Sequence, residues 1–281
     1  MFVRWRAGEF MKVVEETFGV QKAIVGVVHL PPLPGSPRYE GEELDPIIER
    51  ALRDARALSE GGVDGILIEN FWDVPYRKKR VSPMIVASMA VIAKEVAREV
   101  RIPIGVNVLR NDALAALAIA KAIGGSFIRV NVYVETIVTD QGIIEPCAYE
   151  VQMAKKAYRA SNVKVFADVH VKHGTPLVQR PVDVVAEEAL KRGLADAVIL
   201  TGPTTGVPPP LEEALRIRAR LPEASIIVGS GCNPENLKDL LTAADAAIVG
   251  SYFRGGDLSA PVSVEKVREF MTKVKEVRKR A

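Results

Sequence analysis

The sequence predicts a (β/α)8 barrel, and three observations lead to this fold class. Eight short apolar segments rich in β-branched residues recur along the chain, with helix-length segments between them. The apolar runs are nearly continuous, which is typical of parallel strands that are buried on both faces. The unusual polar residues follow these segments directly, where barrel enzymes have their sites. An open doubly wound sheet is the alternative, but the Pro-rich segment 30–37 after the first strand is not the Gly-rich turn of those folds.

The predicted strands follow one another at the spacing of strand-helix units. They are Ile24–Leu30, Gly65–Glu69, Pro103–Val108, Ser126–Val130, Lys164–His170, Asp196–Leu200, Ser225–Gly229 and Ala246–Gly250. Helix starts between them are marked by a capping side chain followed by proline. Such pairs occur at Asp45, Ser82 and Asn233.

A helical extension is expected before the barrel, over residues 1–21, and the barrel itself over residues 22–281. Apolar residues recur in the extension at helical spacing: Phe10, Val13, Val14 and Phe18. Such a face is expected to pack against the lower end of the barrel or against a second subunit. The chain of 281 residues fits one domain, because barrels of about 250 residues commonly form a single domain.

Composition and charge exclude several classes of protein. Hydrophobic residues make up 48% of the chain and charged residues 26%, which suits a large folded core. The net charge of +3 is small and the cations are dispersed, so no nucleic-acid partner is expected. Cys147 and Cys232 are too few for a disulfide framework and fit a reducing, cytoplasmic compartment. No apolar segment is long enough to span a bilayer, and Met1–Arg6 lacks the core of a signal peptide; peripheral membrane contact stays open. No nicotinamide or flavin signature occurs.

Small residues follow the last two predicted strands and indicate a phosphate site. Gly229, Ser230 and Gly231 follow the seventh strand, and Gly250 and Ser251 follow the eighth. Barrel phosphate sites are built from these two loops, because small residues let backbone N–H groups and a helix N-terminus approach an anion. Tight turns are the alternative explanation for the same glycines. We expect the ligand to be a phosphorylated small molecule.

Asp168, His170 and Lys172 lie at alternate positions at the end of the fifth predicted strand, so their side chains are expected to share a face. A carboxylate, an imidazole and an amine on one wall can transfer protons, and His29 at the end of the first strand is a fourth catalytic candidate. Lys172 would act as an electrostatic stabiliser or as a Schiff-base nucleophile. Glu69, Asp168 and His170 would be the ligands if the site uses a divalent metal ion. A structural hydrogen-bonded pair in the barrel core is the alternative.

Polar residues at the ends of the other strands are candidates for binding substrate. They are Glu69, Asn107, Arg129, Asn131 and Thr201. A cap or turn role is at least as common for any one of them. Their recurrence at the same end of successive strands favours a binding site.

Several motifs occur together in one order along the chain. They are VVHLPPLPGSP at 27–37, Glu69–Asn70, GVNVLRN at 105–111, ADVHVKH at 167–173 and Thr201–Gly202. In these motifs the chain resembles the BtpA family, which includes SgcQ-like proteins, from about residue 22 to the last helix. The resemblance implies a barrel of the phosphate-binding type. The family is named for a member needed to accumulate photosystem I in a cyanobacterium, and SgcQ-like relatives accompany genes of sugar-phosphate metabolism.

These observations predict an enzyme that acts by acid–base chemistry on a phosphorylated sugar or nucleoside-like metabolite. Isomerase, lyase and hydrolase reactions all fit the candidate residues. The alternative is a non-catalytic biogenesis or stability factor for a membrane complex such as photosystem I, which would expose an apolar contact patch. A homo-oligomer is expected, because most soluble oligomers are assembled from identical chains and dimers are the commonest.

Overall fold

The eight apolar segments form the parallel strands of a closed barrel in the computed structural model, which describes residues 12–279. The predicted fold class is therefore confirmed. Within the described residues the strands are β1 (Ala23–His29), β2 (Gly65–Glu69), β3 (Ile104–Asn107), β4 (Phe127–Val130), β5 (Ile137–Thr139), β6 (Gly142–Ile144), β7 (Lys164–Val169), β8 (Gly174–Pro176), β9 (Ala197–Leu200), β10 (Ile226–Val228) and β11 (Ala246–Val249). The order around the barrel is β1-β11-β10-β9-β7-β4-β3-β2.

Helices connect the barrel strands and cover its outside. Between Lys12 and Lys279 they are α1 (Val13–Phe18), α2 (Leu44–Gly61), α3 (Pro83–Glu99), α4 (Ala113–Ile123), α5 (Ala148–Ala157), α6 (Val182–Lys191), α7 (Leu211–Arg220), α8 (Leu237–Ala243) and α9 (Val264–Arg278), with a 3-10 turn at Tyr252–Arg254. Ser82 caps α3 as predicted, because its Oγ accepts the N–H of Ile85 at 3.3 Å. The other two predicted starts are displaced: α2 begins one residue before Asp45, and Asn233 forms a turn ahead of α8. No helix in the described part of the chain is long and apolar enough to cross a membrane.

Helix α1 closes the N-terminal end of the barrel. Phe18 packs against the rings of Phe127 and Phe166, with centroid distances of 5.6 and 6.3 Å. Val14 is buried in the same apolar cluster. The N-terminal apolar face was expected to pack against the lower end of the barrel or against a second subunit. In the structure, Val14 and Phe18 pack against the lower end of the barrel. Phe10 lies outside the described residues.

The barrel interior has an apolar lower part and a polar upper layer at the C-terminal ends of the strands. Residues two apart on a strand share a face, so Arg129 lies above Phe127 on β4, and Asp168 lies above Phe166 on β7. Each strand contributes one upper position, at its last residue or one residue before or after it: His29, Glu69, Asn107, Arg129, Asp168, Thr201, Gly229 and Gly250. The alternation therefore brings polar residues from six strands and glycines from the other two to one end of the barrel.

Strands β5, β6 and β8 form a separate antiparallel sheet beside the barrel, which the sequence pattern did not predict. The inner face of this sheet belongs to a small apolar cluster of Val132, Ile137, Ile144 and Val171. Val138 and Ile143 lie opposite each other in neighbouring strands, and they are 41% and 50% exposed. The sheet thus has one buried face and one apolar face in contact with solvent.

Candidate functional site

Arg129 is the centre of a buried polar network at the C-terminal end of the barrel. Its Nε and Nη2 donate to the two carboxylate oxygens of Asp168, each at 3.0 Å, and its Nη1 donates to Glu69 Oε1 at 3.3 Å. The amide of Asn131 donates to Asp168 at 2.9 Å, and the amide of Asn107 donates to Glu69 at 2.8 Å. A bidentate arginine–carboxylate pair fixes both distance and orientation. The network therefore forms a rigid, charged floor of the site.

The network occupies most of the side-chain atoms that the sequence offered for catalysis and substrate binding. Both oxygens of Asp168 accept hydrogen bonds, so Arg129 and Asn131 hold this carboxylate in place. Asn131 is the exception, because its Oδ1 is buried without a hydrogen-bond partner among the described residues. A ligand hydroxyl or N–H group would satisfy this acceptor.

His29 stands beside the network with its ring stacked on Phe71, at a centroid distance of 4.2 Å and an angle of 25°. Its Nε2 lies 3.8 Å from Glu69 Oε2, and its Nδ1 is buried and has no hydrogen-bond partner within the described part of the chain. Burial lowers the pKa of His29 well below its ordinary value, and the positive charges of Arg254 and Lys172 lower it further. The imidazole is therefore neutral at pH 7 and can donate or accept a hydrogen bond.

Lys172 lies three residues beyond β7, and hydrogen bonds of its backbone hold it in place. Its N–H donates to Thr201 Oγ1 at 2.8 Å, and its carbonyl oxygen accepts from Arg110 Nη2 at 2.6 Å. Among residues 12–279 no hydrogen-bond acceptor contacts its ammonium group. Burial, followed by the charge of Arg129, lowers the pKa of Lys172 to about 8. At pH 7 roughly a tenth of the amine is therefore neutral, against well under a thousandth for an ordinary lysine.

His170 does not continue the alternation that placed it beside Asp168. Strand β7 ends at Val169, and His170 has a φ of 49°, which turns the backbone out of the extended conformation. Its N–H donates to Glu135 Oε1 at 2.8 Å, and its Nε2 lies 3.9 Å from Glu135 Oε2. The expected common wall of Asp168, His170 and Lys172 is thus formed only in part, and Glu135 is a partner that the sequence did not indicate.

The residues named as ligands for a divalent ion have other partners. Glu69 and Asp168 both face the guanidinium of Arg129, and His170 contacts Glu135. Within residues 12–279 no group of three or more His, Cys, Asp and Glu side chains is arranged to hold a metal ion. The set Glu69, Asp168 and His170 does not fit a metal site, because a cation already lies between its two carboxylates.

The loops after β10 and β11 line a cavity of about 300 Å³. Its lining residues are Gly206, Gly231, Cys232, Asn233, Ser251, Tyr252, Gly255, Gly256 and Lys266. Two of the predicted phosphate residues, Gly231 and Ser251, thus face one open space together with the cation of Lys266. Gly231 has a φ of 68°, and a Cβ there would lie 2.1 Å from the nitrogen of Pro208. Glycine is therefore required both by the backbone conformation and by the close approach of the neighbouring loop.

The other three predicted phosphate residues have structural neighbours. The hydroxyl of Ser230 accepts the N–H of Gly202 at 3.1 Å and donates to the carbonyl of Val207 at 2.7 Å, which fastens the loop after β9. Gly229 packs against the side chains of strand β9. A Cβ at Gly250 would lie 3.2 Å from Cε1 of His29. The glycine loops therefore directly adjoin the imidazole of the polar layer.

A buried ion pair positions the loop after β11. The guanidinium of Arg254 contacts Asp54 on α2 at 2.7 Å and also donates to the carbonyl of Ala260 at 2.5 Å. The other oxygen of Asp54 accepts the N–H of Val262 at 3.1 Å. These contacts hold together the two ends of segment 254–262, which begins at the last residue of the 3-10 turn and contains Gly255.

The fold and the site define a (β/α)8 barrel with a buried, charged site at the C-terminal ends of its strands. The sequence profile of the BtpA family matches residues 20–276, and the chain belongs to the BtpA family. It is 42% identical to the photosystem I biogenesis protein BtpA of Synechocystis sp. over 257 residues, which cover 91% of this chain and 89% of that protein. The family resemblance in the motifs is therefore confirmed.

Solved structures share the fold at low sequence identity. One is (S)-3-O-geranylgeranylglyceryl phosphate synthase from Thermoplasma acidophilum in complex with sn-glycerol-1-phosphate, with a TM-score of 0.59 and 14% identity over 95% of this chain and 100% of that chain. Another is thiamine phosphate pyrophosphorylase from Pyrococcus furiosus, with a TM-score of 0.56 and 18% identity over 91% of this chain and 96% of that chain. At these identities the likeness shows the fold alone.

Proposed function

We propose that the protein is an enzyme that acts by acid–base chemistry on a phosphorylated sugar or nucleoside-like metabolite. The observation that carries the proposal is the amine of Lys172, which lacks a hydrogen-bond partner within residues 12–279 and has a pKa of about 8. An amine that titrates near neutral pH can both hold and release a proton under working conditions. A structural lysine on a surface has no need of this environment.

In the proposed mechanism the floor of the site holds the substrate and Lys172 performs the chemistry. Arg129 and Asp168 hold each other in place, so their charges stay fixed while the proton moves. Asn131 Oδ1 and the neutral imidazole of His29 offer hydrogen-bonding atoms without partners of their own in the described residues. These atoms would bind hydroxyl groups of the substrate.

The phosphate group is assigned to the cavity lined by Gly231, Ser251 and Lys266. Loops after the seventh and eighth barrel strands bind phosphate in many barrels, because small residues leave backbone N–H groups open to an anion. Two proteins with the same fold support the choice, since their names refer to a glyceryl phosphate synthase and a thiamine phosphate pyrophosphorylase.

The experiment is thermal unfolding of the purified protein in the presence of inorganic phosphate, sugar phosphates and nucleotides. A ligand that binds only the folded state raises the unfolding temperature with its occupancy. We expect a selective shift that is lost in Gly231→Ala and kept in Gly142→Ala. Both glycines have positive φ, but only a Cβ at Gly231 meets neighbouring atoms. The absence of a shift from every phosphorylated compound would contradict the proposal.

The compound that raises the unfolding temperature is then used as a substrate, and its rate of turnover tests the role of Lys172. Lys172→Met should abolish turnover and keep binding of the phosphate group. Reduction with borohydride in the presence of that compound distinguishes proton transfer from a covalent iminium, because only an iminium is trapped on the lysine. Wild-type turnover in Lys172→Met would refute the assignment.

A non-catalytic role in the biogenesis of a membrane complex is the second candidate. The name of the Synechocystis relative supports it, and so does the apolar outer face of the small sheet. Leu177 and Val178 follow β8 and are 57% and 67% exposed, next to the exposed Val138 and Ile143. Capture of a protein partner that is lost in Val138→Glu, with no ligand shift in the unfolding assay, would favour this role. A homo-oligomer and a cytoplasmic location stay predictions; the free thiols of the chain fit a reducing compartment.

A further inference from the structure

Three arginines are buried in the described residues, and one of them differs from the other two. Arg129 is paired with Asp168 and Glu69, and Arg254 is paired with Asp54. Arg110 is 4% exposed, yet within residues 12–279 it forms no ion pair with a carboxylate. A buried cation without an anionic partner costs several kcal/mol, so proteins seldom keep one unless a ligand supplies the missing charge.

The contacts of Arg110 leave its charge unsatisfied. Its one side-chain hydrogen bond joins Nη2 to the carbonyl oxygen of Lys172, and its Nε is buried without a partner among the described residues. The guanidinium of Arg110 is close enough to the ammonium of Lys172 that its charge contributes to the lowered pKa of the lysine. Two cations therefore adjoin each other at the mouth of the barrel, and neither has a carboxylate of its own in the described part of the chain.

Arg110 and the glycine loops lie on opposite sides of the barrel mouth. Arg110 follows β3, and Gly231 follows β10. In the barrel order, β3 and β10 are separated by three strands on either side, so the two loops face each other across the mouth. The floor formed by Arg129 belongs to the same end of the barrel, and Lys172 contacts Arg110 through its carbonyl oxygen.

We propose that Arg110 and Lys172 form a second anion subsite, which binds a carboxylate or a second phosphate group of the substrate. This inference rests on the proposed function, because it takes the first phosphate to lie in the glycine loops. With two anion subsites, the substrate would be a small molecule with a phosphate at one end, a second anionic group at the other end and hydroxyl-bearing carbons between them. Arginine suits either anion, because its planar fork donates two parallel hydrogen bonds.

Two matched pairs of probes test the subsite by calorimetric titration at low salt and pH 7. Glycerol 3-phosphate and 3-phosphoglycerate differ by a carboxylate, and fructose 6-phosphate and fructose 1,6-bisphosphate differ by a second phosphate. We expect the member with two anionic groups to bind about 10- to 100-fold more tightly in one of the pairs, because the second group forms charge-assisted hydrogen bonds. The pair that shows the preference identifies the anion as a carboxylate or a phosphate.

Arg110→Met should remove the preference within that pair and keep the affinity for the monophosphate. Arg77→Met is the matched control, because Arg77 is an exposed cation whose carbonyl oxygen accepts the N–H of Arg110 at 3.2 Å. The control should keep the preference. If Arg110→Met does not fold, Arg110→Lys replaces it in the test, because lysine keeps the positive charge but lacks the planar fork. We expect the preference of Arg110→Lys to be intermediate between that of the wild type and none.

The outcomes separate this inference from the proposed function. If each monophosphate binds with the same affinity as the probe of its pair that carries a second anionic group, the second subsite is overturned and the proposed function stays in place. An equal loss of preference in Arg110→Met and Arg77→Met would also overturn it, since a general positive field would then explain the binding. If no probe binds, both proposals are wrong.

Discussion

Asp168→Asn is expected to destabilise the protein strongly although the two side chains have the same shape. The side chain of Asp168 is fully buried, and its two oxygens accept three hydrogen bonds, two from Arg129 and one from Asn131. An asparagine presents an NH2 group to one of these donors, so at least one hydrogen bond becomes a contact between two donors. The charge of Arg129 then retains only its longer contact to Glu69.

The magnitude follows from the burial of the pair. Breaking a buried ion pair from one side costs about 3–5 kcal/mol, because the remaining charge is left without compensation. Unfolding entropy is about 2.1 cal/mol/K per residue, or about 0.6 kcal/mol/K for 281 residues. The unfolding temperature should therefore fall by about 5–8 °C.

Chemical denaturation gives the free energy of unfolding, and a change of midpoint at constant slope identifies a change of stability. Glu99→Gln is the matched control, since Glu99 also pairs with an arginine, Arg56, but both side chains are exposed. Its midpoint should stay close to that of the wild type. Equal midpoints for Asp168→Asn and Glu99→Gln would refute the view that the Arg129 network is a desolvated structural floor.

Three further predictions concern other parts of the molecule. The pKa of Lys172 is lower in the folded than in the unfolded chain, so the unfolded state binds more protons between about pH 8 and 10.5. The free energy of unfolding should therefore rise with pH in that window, and the denaturation midpoints of wild type and Lys172→Met should diverge there. Midpoints that change in parallel with pH would contradict the lowered pKa. Gly250→Ala places a Cβ 3.2 Å from the ring of His29 and should reduce the thermal shift caused by phosphate with little loss of unliganded stability; an unchanged shift would separate His29 from the ligand site. Phe18→Ala should cost about 3–5 kcal/mol in urea denaturation, because it opens the lower end of the barrel, and a loss under about 1 kcal/mol would mean that α1 is not integral to the core.

The strands and the residues at their ends could be predicted because both depend on local pattern. Each barrel strand is an apolar run bounded by polar or glycine residues. Every observed strand end either coincides with the predicted one or differs from it by one residue. The alternation of side chains then brings one residue at or next to the end of each strand to the inside of the barrel. The sheet of β5, β6 and β8 escaped the same reasoning because three-residue strands show no alternation that can be distinguished from loops.

The partners within the site could not be predicted, because they come from distant parts of the chain. Arg129 and Asp168 are 39 positions apart, and Arg254 and Asp54 are 200 positions apart. No spacing rule indicates that Asp168 is saturated by a guanidinium, or that His170 turns towards Glu135. The motif at 105–111 did contain Arg110, but a buried arginine without a carboxylate is recognisable only once its surroundings are known.

The balance of charge at the mouth links ligand binding to the proton on Lys172. Glu69 and Asp168 face three cations, Arg129, Arg110 and Lys172, so the site has one positive charge in excess when the amine is protonated. An anionic group bound between Arg110 and Lys172 removes this excess and favours the protonated amine, which raises its pKa above 8. Thermodynamic linkage then requires that affinity for the anion falls as pH rises through about 8. Binding of the anionic group of the substrate would therefore favour protonation of Lys172, and this proton is the one that the amine later transfers. If the affinity does not change between pH 7 and 10, the amine takes no part in binding.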